Sequence, residues 1–319
     1  MTSQTENAAF SRDEMIMCSK CGKSNPPNRA GCLYCGAPLD VPEDLRGSVK
    51  LNLRKLENWE NGFNVVIVGR ADTADLASAA QYLKLDNELF GRMVEAKGPF
   101  PLARLELERD AAAAAERLSA FGFTTKLVRD VDLKIGKPNT RLRSVEFSGD
   151  RVVFTSFNTS EQRSLSSGEV ALIVIGTIVE SRKESVEKGR KDKRKVLAES
   201  ATTSDDLVID IYPGDSSRGW RVTTKGFDFS TLGSEKRLLA AQNIQLLLEK
   251  LKAFAPAAKT VDEYARLMAL LTEVWDIERG IDFQGLRRTG MLRSGFASVA
   301  RTSNLEQFSK YSRLQQKLL

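Results

Sequence analysis

Hydrophobic positions along this chain follow several periods in turn. Across 62–132 the period alternates between strand and helix. The β-branched run 63–68 suits a buried strand. Leu76, Ala79, Ala80 and Leu83 then fall on one face of a helix that Asp72-Thr-Ala-Asp75 can cap and that ends near residue 84. Asp86 opens a second helix with Leu89, Phe90, Met93 and Val94 inward. A strand over 102–107 follows, then an alanine-rich helix from Asp110 to Phe121, stopped by Gly122, and a strand over 123–128. The run 111–115 reads as a close-packed helix face.

From 140 to 256 short strand-like stretches take over, at 144–147, 151–156, 162–165, 171–180, 195–199, 207–212 and 220–224. Turn residues separate them, as in Ser148-Gly149-Asp150 and Pro213-Gly214-Asp215. A helix is predicted over 234–254, with Leu238, Ala241, Ile244, Leu248 and Leu251 on one stripe. Trp220, Phe227 and Phe229 are expected in the core. Beyond Pro256 the pattern predicts a helical C-terminal region over 257–319. There Thr260-Val-Asp-Glu263 forms a capping box, Tyr264, Leu267, Met268, Leu271 and Trp275 share a face, and Asn304 caps a last helix bearing Leu305, Phe308, Tyr311 and Leu318. Such stripes suit packing or oligomer contacts.

The order β-α-α-β-α-β over 62–132, with Gly98-Pro99, Asp110-Ala-Ala, Ala115-Glu116-Arg117-Leu118 and Phe121-Gly122-Phe123, resembles the small sandwich shared by the C-terminal domain of the bacterial ribosomal stalk protein and the Clp-protease adaptor. A ferredoxin-like unit is the alternative. Seven strands closed by a helix over 140–256 resemble a pleckstrin-homology-like barrel. The expected fold class is therefore multidomain α+β.

The densest chemistry lies earlier, between a polar N-terminus (1–15) and a linker (40–61) with a short strand near 48–53. All four cysteines fall in Cys18-Ser-Lys-Cys21-Gly22 and Cys32-Leu-Tyr-Cys35-Gly36, ten residues apart. Four thiolates at this spacing can close a tetrahedron around one structural Zn²⁺, and they leave no open coordination position. Asn25-Pro26-Pro27 turns the chain between the knuckles. Residues 16–39 resemble the bacterial zinc-ribbon family, in which this CxxCG…NPP…CxxCG pattern is a common N-terminal module. Two local disulfides or a rubredoxin-like iron site are the alternatives.

The 319 residues include no histidine, which removes Ser-His-Asp and Cys-His nucleophiles and every His-ligated metal. No P-loop, dinucleotide-binding or nucleophile-elbow motif occurs. No apolar run spans a bilayer and the N-terminus is unlike a signal peptide, so a cytoplasmic protein with reduced thiols is expected. Hydrophobic residues make up 41%, enough for ordinary cores.

The net charge of +6 is uneven, since 134–256 carry 21 basic and 16 acidic residues and 257–319 carry 10 and 7. Arg182, Lys183, Lys188, Arg190, Lys191, Lys193, Arg194 and Lys195 cluster in a predicted hairpin connection that could meet an anionic membrane or nucleic acid, or stay solvated. No aromatic residue interrupts that cluster. Arg287, Arg288, Arg293 and Arg301 occur with no acid between Asp282 and Glu306. The leading reading is a non-catalytic zinc-binding adaptor or scaffold with protein partners. A nucleic-acid- or ribosome-associated protein comes second. A carboxylate-dependent hydrolase using Asp205, Asp206 and Asp210 comes third.

Overall fold

The computed structural model describes residues 15–27, 29, 31–37, 39–40, 53–188, 195–214, 218–288 and 294–319. The chain divides into two compact units, residues 1–95 with 99–132, and residues 96–98 with 133–319.

In the first unit, β1 (Ile16–Met17) and β2 (Ser24–Asn25) pair antiparallel within the cysteine-rich segment. Then come β3 (Phe63–Arg70), α1 (Leu76–Leu83), α2 (Asn87–Val94), β4 (Phe100–Leu105), α3 (Glu108–Ala120) and β5 (Phe123–Arg129), in the order the periodicity predicts. The antiparallel sheet runs β4-β3-β5, so β3 is central and Val65, Val66 and Ile67 are buried. Asp75 accepts from the Ser78 N–H at 3.0 Å, and Asp86 accepts from the N–H groups of Glu88 and Leu89. The expectation for Asp110 needs correcting. The third helix starts at Glu108, and Asp110 lies in its first turn, where a carboxylate favours the positive end of the helix dipole.

The second half of the predicted linker is tied down. Arg104 Nε donates to Asp130 at 2.7 Å, and its other nitrogens donate to the carbonyls of Leu56, Glu57 and Glu60. Asp130 also accepts from the Gly62 N–H and the Asn64 amide. This buried ion pair clamps the segment leading into β3 onto the sheet. The predicted N-terminal segment up to residue 14 and the strand near 48–53, up to residue 52, lie outside the described residues.

The second unit is built on one nine-stranded sheet curled into a half-barrel. Its strands are β6 (Thr140–Ser148), β7 (Arg151–Ser156), β8 (Gln162–Ser166), β9 (Val170–Lys188), β10 (Lys195–Pro213), β11 (Trp220–Thr223), β12 (Lys259–Val261), β13 (Glu278–Arg288) and β14 (Ser294–Ser303). The order is β13-β14-β9-β10-β11-β6-β7-β8, with β11 parallel to β6 and β12 added parallel to β9. The separate stretches 195–199 and 207–212 are a single 19-residue strand, because β9 is equally long and pairs with it throughout. Seven strands closed into a barrel are thus replaced by six of a larger, open sheet.

Helix α4 (Ala240–Phe254) lays Ile244, Leu247 and Leu251 against Leu142, Val152, Phe154, Ile173 and Ile209. Trp220, Phe227 and Phe229 join this core, as predicted. Leu238 does not, being 98% exposed. The helix begins at Ala240, and Asn243 holds the preceding chain by bonding both the N–H and the carbonyl of Arg237.

The helical C-terminal region also needs correction. Glu278–Arg288 and Ser294–Ser303 form β13 and β14, and β14 zips onto the outer half of β9. No capping box forms at Thr260, which lies in β12, and α5 (Tyr264–Leu271) starts without a side-chain cap. Asn304 precedes α6 (Leu305–Lys317) but does not cap it. Its amide instead accepts from the Val179 N–H at 2.8 Å and donates to the Thr177 carbonyl at 3.0 Å, so pairing to β9 outcompetes the local cap. The Tyr264 ring packs against both Phe308 and Tyr311, and Phe308 lies against Gly176 of β9. With α4 on one face and α6 on the other, the base of β9 is apolar on both sides, which is why Val170–Ile178 reads as one continuous run.

Candidate metal centre

Two short turns with the same hydrogen bonds present the cysteines. Cys18 N–H donates to Lys23 and Gly22 N–H to Cys18, and Cys32 N–H donates to Ala37 and Gly36 N–H to Cys32. Gly22 and Gly36 sit at φ 65° and 70°, in the left-handed region that a side chain would strain. The thiols of Cys18, Cys21, Cys32 and Cys35 converge within 4.8 Å of one another. Cys18 to Cys35 is 3.6 Å and Cys21 to Cys32 is 3.5 Å between sulfurs. A tetrahedral Zn²⁺ with bonds near 2.3 Å separates its sulfurs by about 3.8 Å, so the donor set matches a metal tetrahedron. The alternative of two local disulfides has no support, because the four thiols are unpaired and their sulfurs lie beyond bonding distance.

Asn25 is the residue that spacing missed. It was expected only to turn the chain, yet its side chain is fully buried between the knuckles. Its amide donates to the Lys23 carbonyl at 2.7 Å and to Cys32 Sγ at 3.5 Å, and its carbonyl accepts from the Leu33 N–H at 2.8 Å. Tyr34 N–H donates to the same sulfur at 3.4 Å. These donors stabilise negative charge on the Cys32 sulfur and fix its orientation. The legible clue was Asn beside the two prolines, a residue able to bond two backbone groups at once.

The thiols influence one another's ionisation. Burial alone would raise Cys32, but the N–H groups of Tyr34 and Cys35, with Cys21 and Asn25, outweigh it and hold the thiol at about 6. The Cys21 N–H is the main group lowering Cys18. Lys23 N–H favours the Cys21 thiolate, yet burial and the three neighbouring sulfurs push it up to about 12. Four thiolates in contact need a cation between them. Beside this cluster, Arg109 of α3 donates to the Gly36 carbonyl, linking the second knuckle to that helix.

The other nominated residues fall elsewhere. Asp210 is fully buried and chelated by Arg221, with Nε and Nη2 each 2.7 Å from its oxygens. Ser312 Oγ donates to the same carboxylate at 2.7 Å, Tyr212 lies 2.8 Å from Ser312, and Asn139 donates to Tyr212 at 2.9 Å. Burial, reinforced by Asp210, pushes the Tyr212 hydroxyl far above its ordinary value, so it stays protonated. This network joins α6 to the sheet and occupies both oxygens of the Asp210 carboxylate. Burial alone would raise Asp206, but bonds from Thr224 and Lys225 outweigh it and hold the carboxyl low, while Asp205 is exposed. The three aspartates do not converge on a hydrolytic site.

Arg182, Lys183 and Lys188 lie on β9 itself rather than in a connection. Arg182 pairs with Glu184 and Lys183 with Glu199. Arg190, Lys191, Lys193 and Arg194 lie outside the described residues, as does the Lys195 side chain. Among the described residues no helix is long and apolar enough to cross a membrane. No protein-family model, curated protein or solved structure matches this chain.

Proposed function

We propose that the protein is a non-catalytic, zinc-stabilised adaptor of the cytoplasm that engages protein partners. The closed four-sulfur cluster carries this reading. A metal with four protein ligands has no position for substrate or water, so it organises a surface rather than performing chemistry. The absence of histidine and the burial of Asp210 in an ion pair support the non-catalytic part. The ribbon leaves Leu33 and Tyr34 exposed beside the second knuckle, an apolar tip suited to a protein contact.

Elemental analysis of the full-length protein should find one zinc per chain, lost when Cys18, Cys21, Cys32 and Cys35 are all replaced by serine. Cross-linking in native cells should capture a partner through a photoreactive residue at Tyr34, and the quadruple variant should not capture it. Iron in place of zinc, a metal retained by the quadruple variant, or capture indifferent to the cysteines would overturn the reading.

A further inference from the structure

One end of the half-barrel sheet holds a cleft of about 600 Å³ lined by three segments: the start of β6, the turn joining β7 to β8, and the residues that lead into β11. Strand pairing brings the three together. β11 runs parallel to β6 with Trp220 opposite Thr140, and the Thr140 N–H donates to the Gly219 carbonyl at 2.9 Å. The Phe157 N–H donates to the Arg141 carbonyl at 2.8 Å, which fastens the β7–β8 turn to β6. A Cβ on Gly219 would stand 2.5 Å from the Tyr212 ring and 2.7 Å from the Ile211 carbonyl, so the chain passes too close to β10 for any side chain there. The walls are therefore fixed by the backbone before anything binds.

The lining is cationic and rich in hydroxyl and amide groups. Arg141, Arg163 and Arg218 stand in it against one acid, Glu161. Register sets Arg163 opposite Phe154, and its guanidinium lies over the Trp220 ring, 5.8 Å from the centroid. The Arg163 side chain makes no hydrogen bond or ion pair among the described residues, so its planar set of donors is uncommitted. Arg151 on the neighbouring strand differs, since its donors are taken by Ser164. Asn139, 9% exposed, donates to Tyr212 and keeps a buried carbonyl oxygen with no hydrogen-bond partner among the described residues. A buried acceptor left unpaired is costly, and a donor arriving with a ligand relieves it.

Charge and shape select the ligand. Three guanidinium groups against one carboxylate leave a surplus of two positive charges. A phosphate monoester, which is close to doubly charged at neutral pH, matches that surplus, and guanidinium groups bind phosphate oxygens two at a time. The volume is in the range of small-molecule sites. Trp220 is only 8% exposed and has Arg163 over its ring, so it offers no face on which a nucleobase could stack. Thr140, Ser156 and Asn158 instead present hydroxyl and amide groups that suit a body carrying several hydroxyls.

We infer that this cleft binds a small polyhydroxylated phosphate monoester of the sugar phosphate class, with Arg163 and Arg218 holding the phosphate. The inference is independent of the zinc-dependent reading, because every lining residue belongs to the second unit. It is tested on the full-length protein by isothermal titration calorimetry at low salt. The probes are ribose 5-phosphate, glucose 6-phosphate and glycerol 3-phosphate, set against ribose, glucose, glycerol and inorganic phosphate. At least one ester should bind, its unphosphorylated parent should not, and inorganic phosphate should bind more weakly. Arg163→Gln should weaken ester binding about tenfold, the effect of losing one hydrogen bond to a charged group. Arg163→Lys should recover part of that loss, and joint Arg163→Gln and Arg218→Gln should weaken binding about 100-fold. The thermal midpoint should stay unchanged in these variants, because both side chains are exposed.

Ester binding should also change the tryptophan emission, and that change should persist in Trp59→Phe and vanish in Trp220→Phe. Absence of binding by all three esters at millimolar concentration, or binding indifferent to the double arginine variant, would overturn the inference. So would inorganic phosphate binding as tightly as the esters, which would mark a bare anion site. Adenosine monophosphate binding more tightly than ribose 5-phosphate would overturn it too, by showing that the cleft contacts a base.

Discussion

The cysteine ribbon and the half-barrel reach order by opposite routes. The ribbon's buried apolar set is Cys18, Cys32 and Leu39, with two strands of two residues each. The half-barrel buries nineteen residues in one cluster and adds a charged network under α6. So small a cluster cannot offset the conformational entropy of ordering the chain, and a metal held by the four cysteines would supply the missing stability. The larger unit has an extensive apolar core, and can bury an ion pair because that core excludes water from it.

The largest effect should follow metal removal. Structural Zn²⁺ contributes roughly 10–16 kcal/mol in small zinc-finger peptides. Stripping the full-length protein with a chelator should therefore abolish amide-exchange protection at 16–37 and leave the strands of both sheets protected. Loss of protection in β3 to β5 as well would show that the cysteine segment and the β4-β3-β5 sheet are one cooperative unit. Next comes Asp210→Ala, which leaves Arg221 buried without its counter-ion and should cost about 3–5 kcal/mol in urea unfolding. A cost near zero would mean that water reaches Arg221 and that the contrast with the ribbon is overstated.

Gly176→Ala should cost about 1–3 kcal/mol, because a Cβ there would stand 2.3 Å from the Phe308 ring, which is fully buried and cannot yield freely. The double variant Gly176→Ala with Phe308→Leu should recover part of that loss if the clash is the cause.

The smallest effect is a pH dependence at the entrance to β3. Hydrogen bonds from Arg54, with the Glu57 N–H, hold the Glu60 carboxyl below its ordinary value. Its folded pKa is depressed, so its contribution is fully present above the ordinary carboxylate pKa and disappears as pH falls through the lower folded value. Thermal midpoints of the wild type and Glu60→Gln should differ near neutrality and converge in acid. A constant difference would remove the ionic origin.

Local signals were legible where one residue type has one cheap role. The two CxxCG knuckles, the caps at Asp75 and Asp86, and the β-α-α-β-α-β order needed only spacing and period. The reading broke down in the C-terminal region, where 278–288 and 294–303 were read as part of a helical region but form strands. The edge of β9 offers them backbone partners that local sequence does not reveal. Thr260 and Asn304 show the same override. Each has the chemistry of a cap, and each is used to join β9 because a strand with open hydrogen bonds lay nearby.

The amino-acid order by itself therefore determined the four-cysteine cluster, the absence of histidine chemistry and the elements of the first unit, because those depend on contacts within a few residues or on composition alone. Only the tertiary structure decided that Asn25 serves Cys32, that Asp130 clamps Arg104 and that Asp210 belongs to an ion pair, since each partner lies seven or more residues away. It alone also gathered Thr140, Ser156, Arg163 and Trp220 around one cleft. The pairings of β6 with β11 and of β7 with β8 set that arrangement, and both are properties of strands meeting across the sheet.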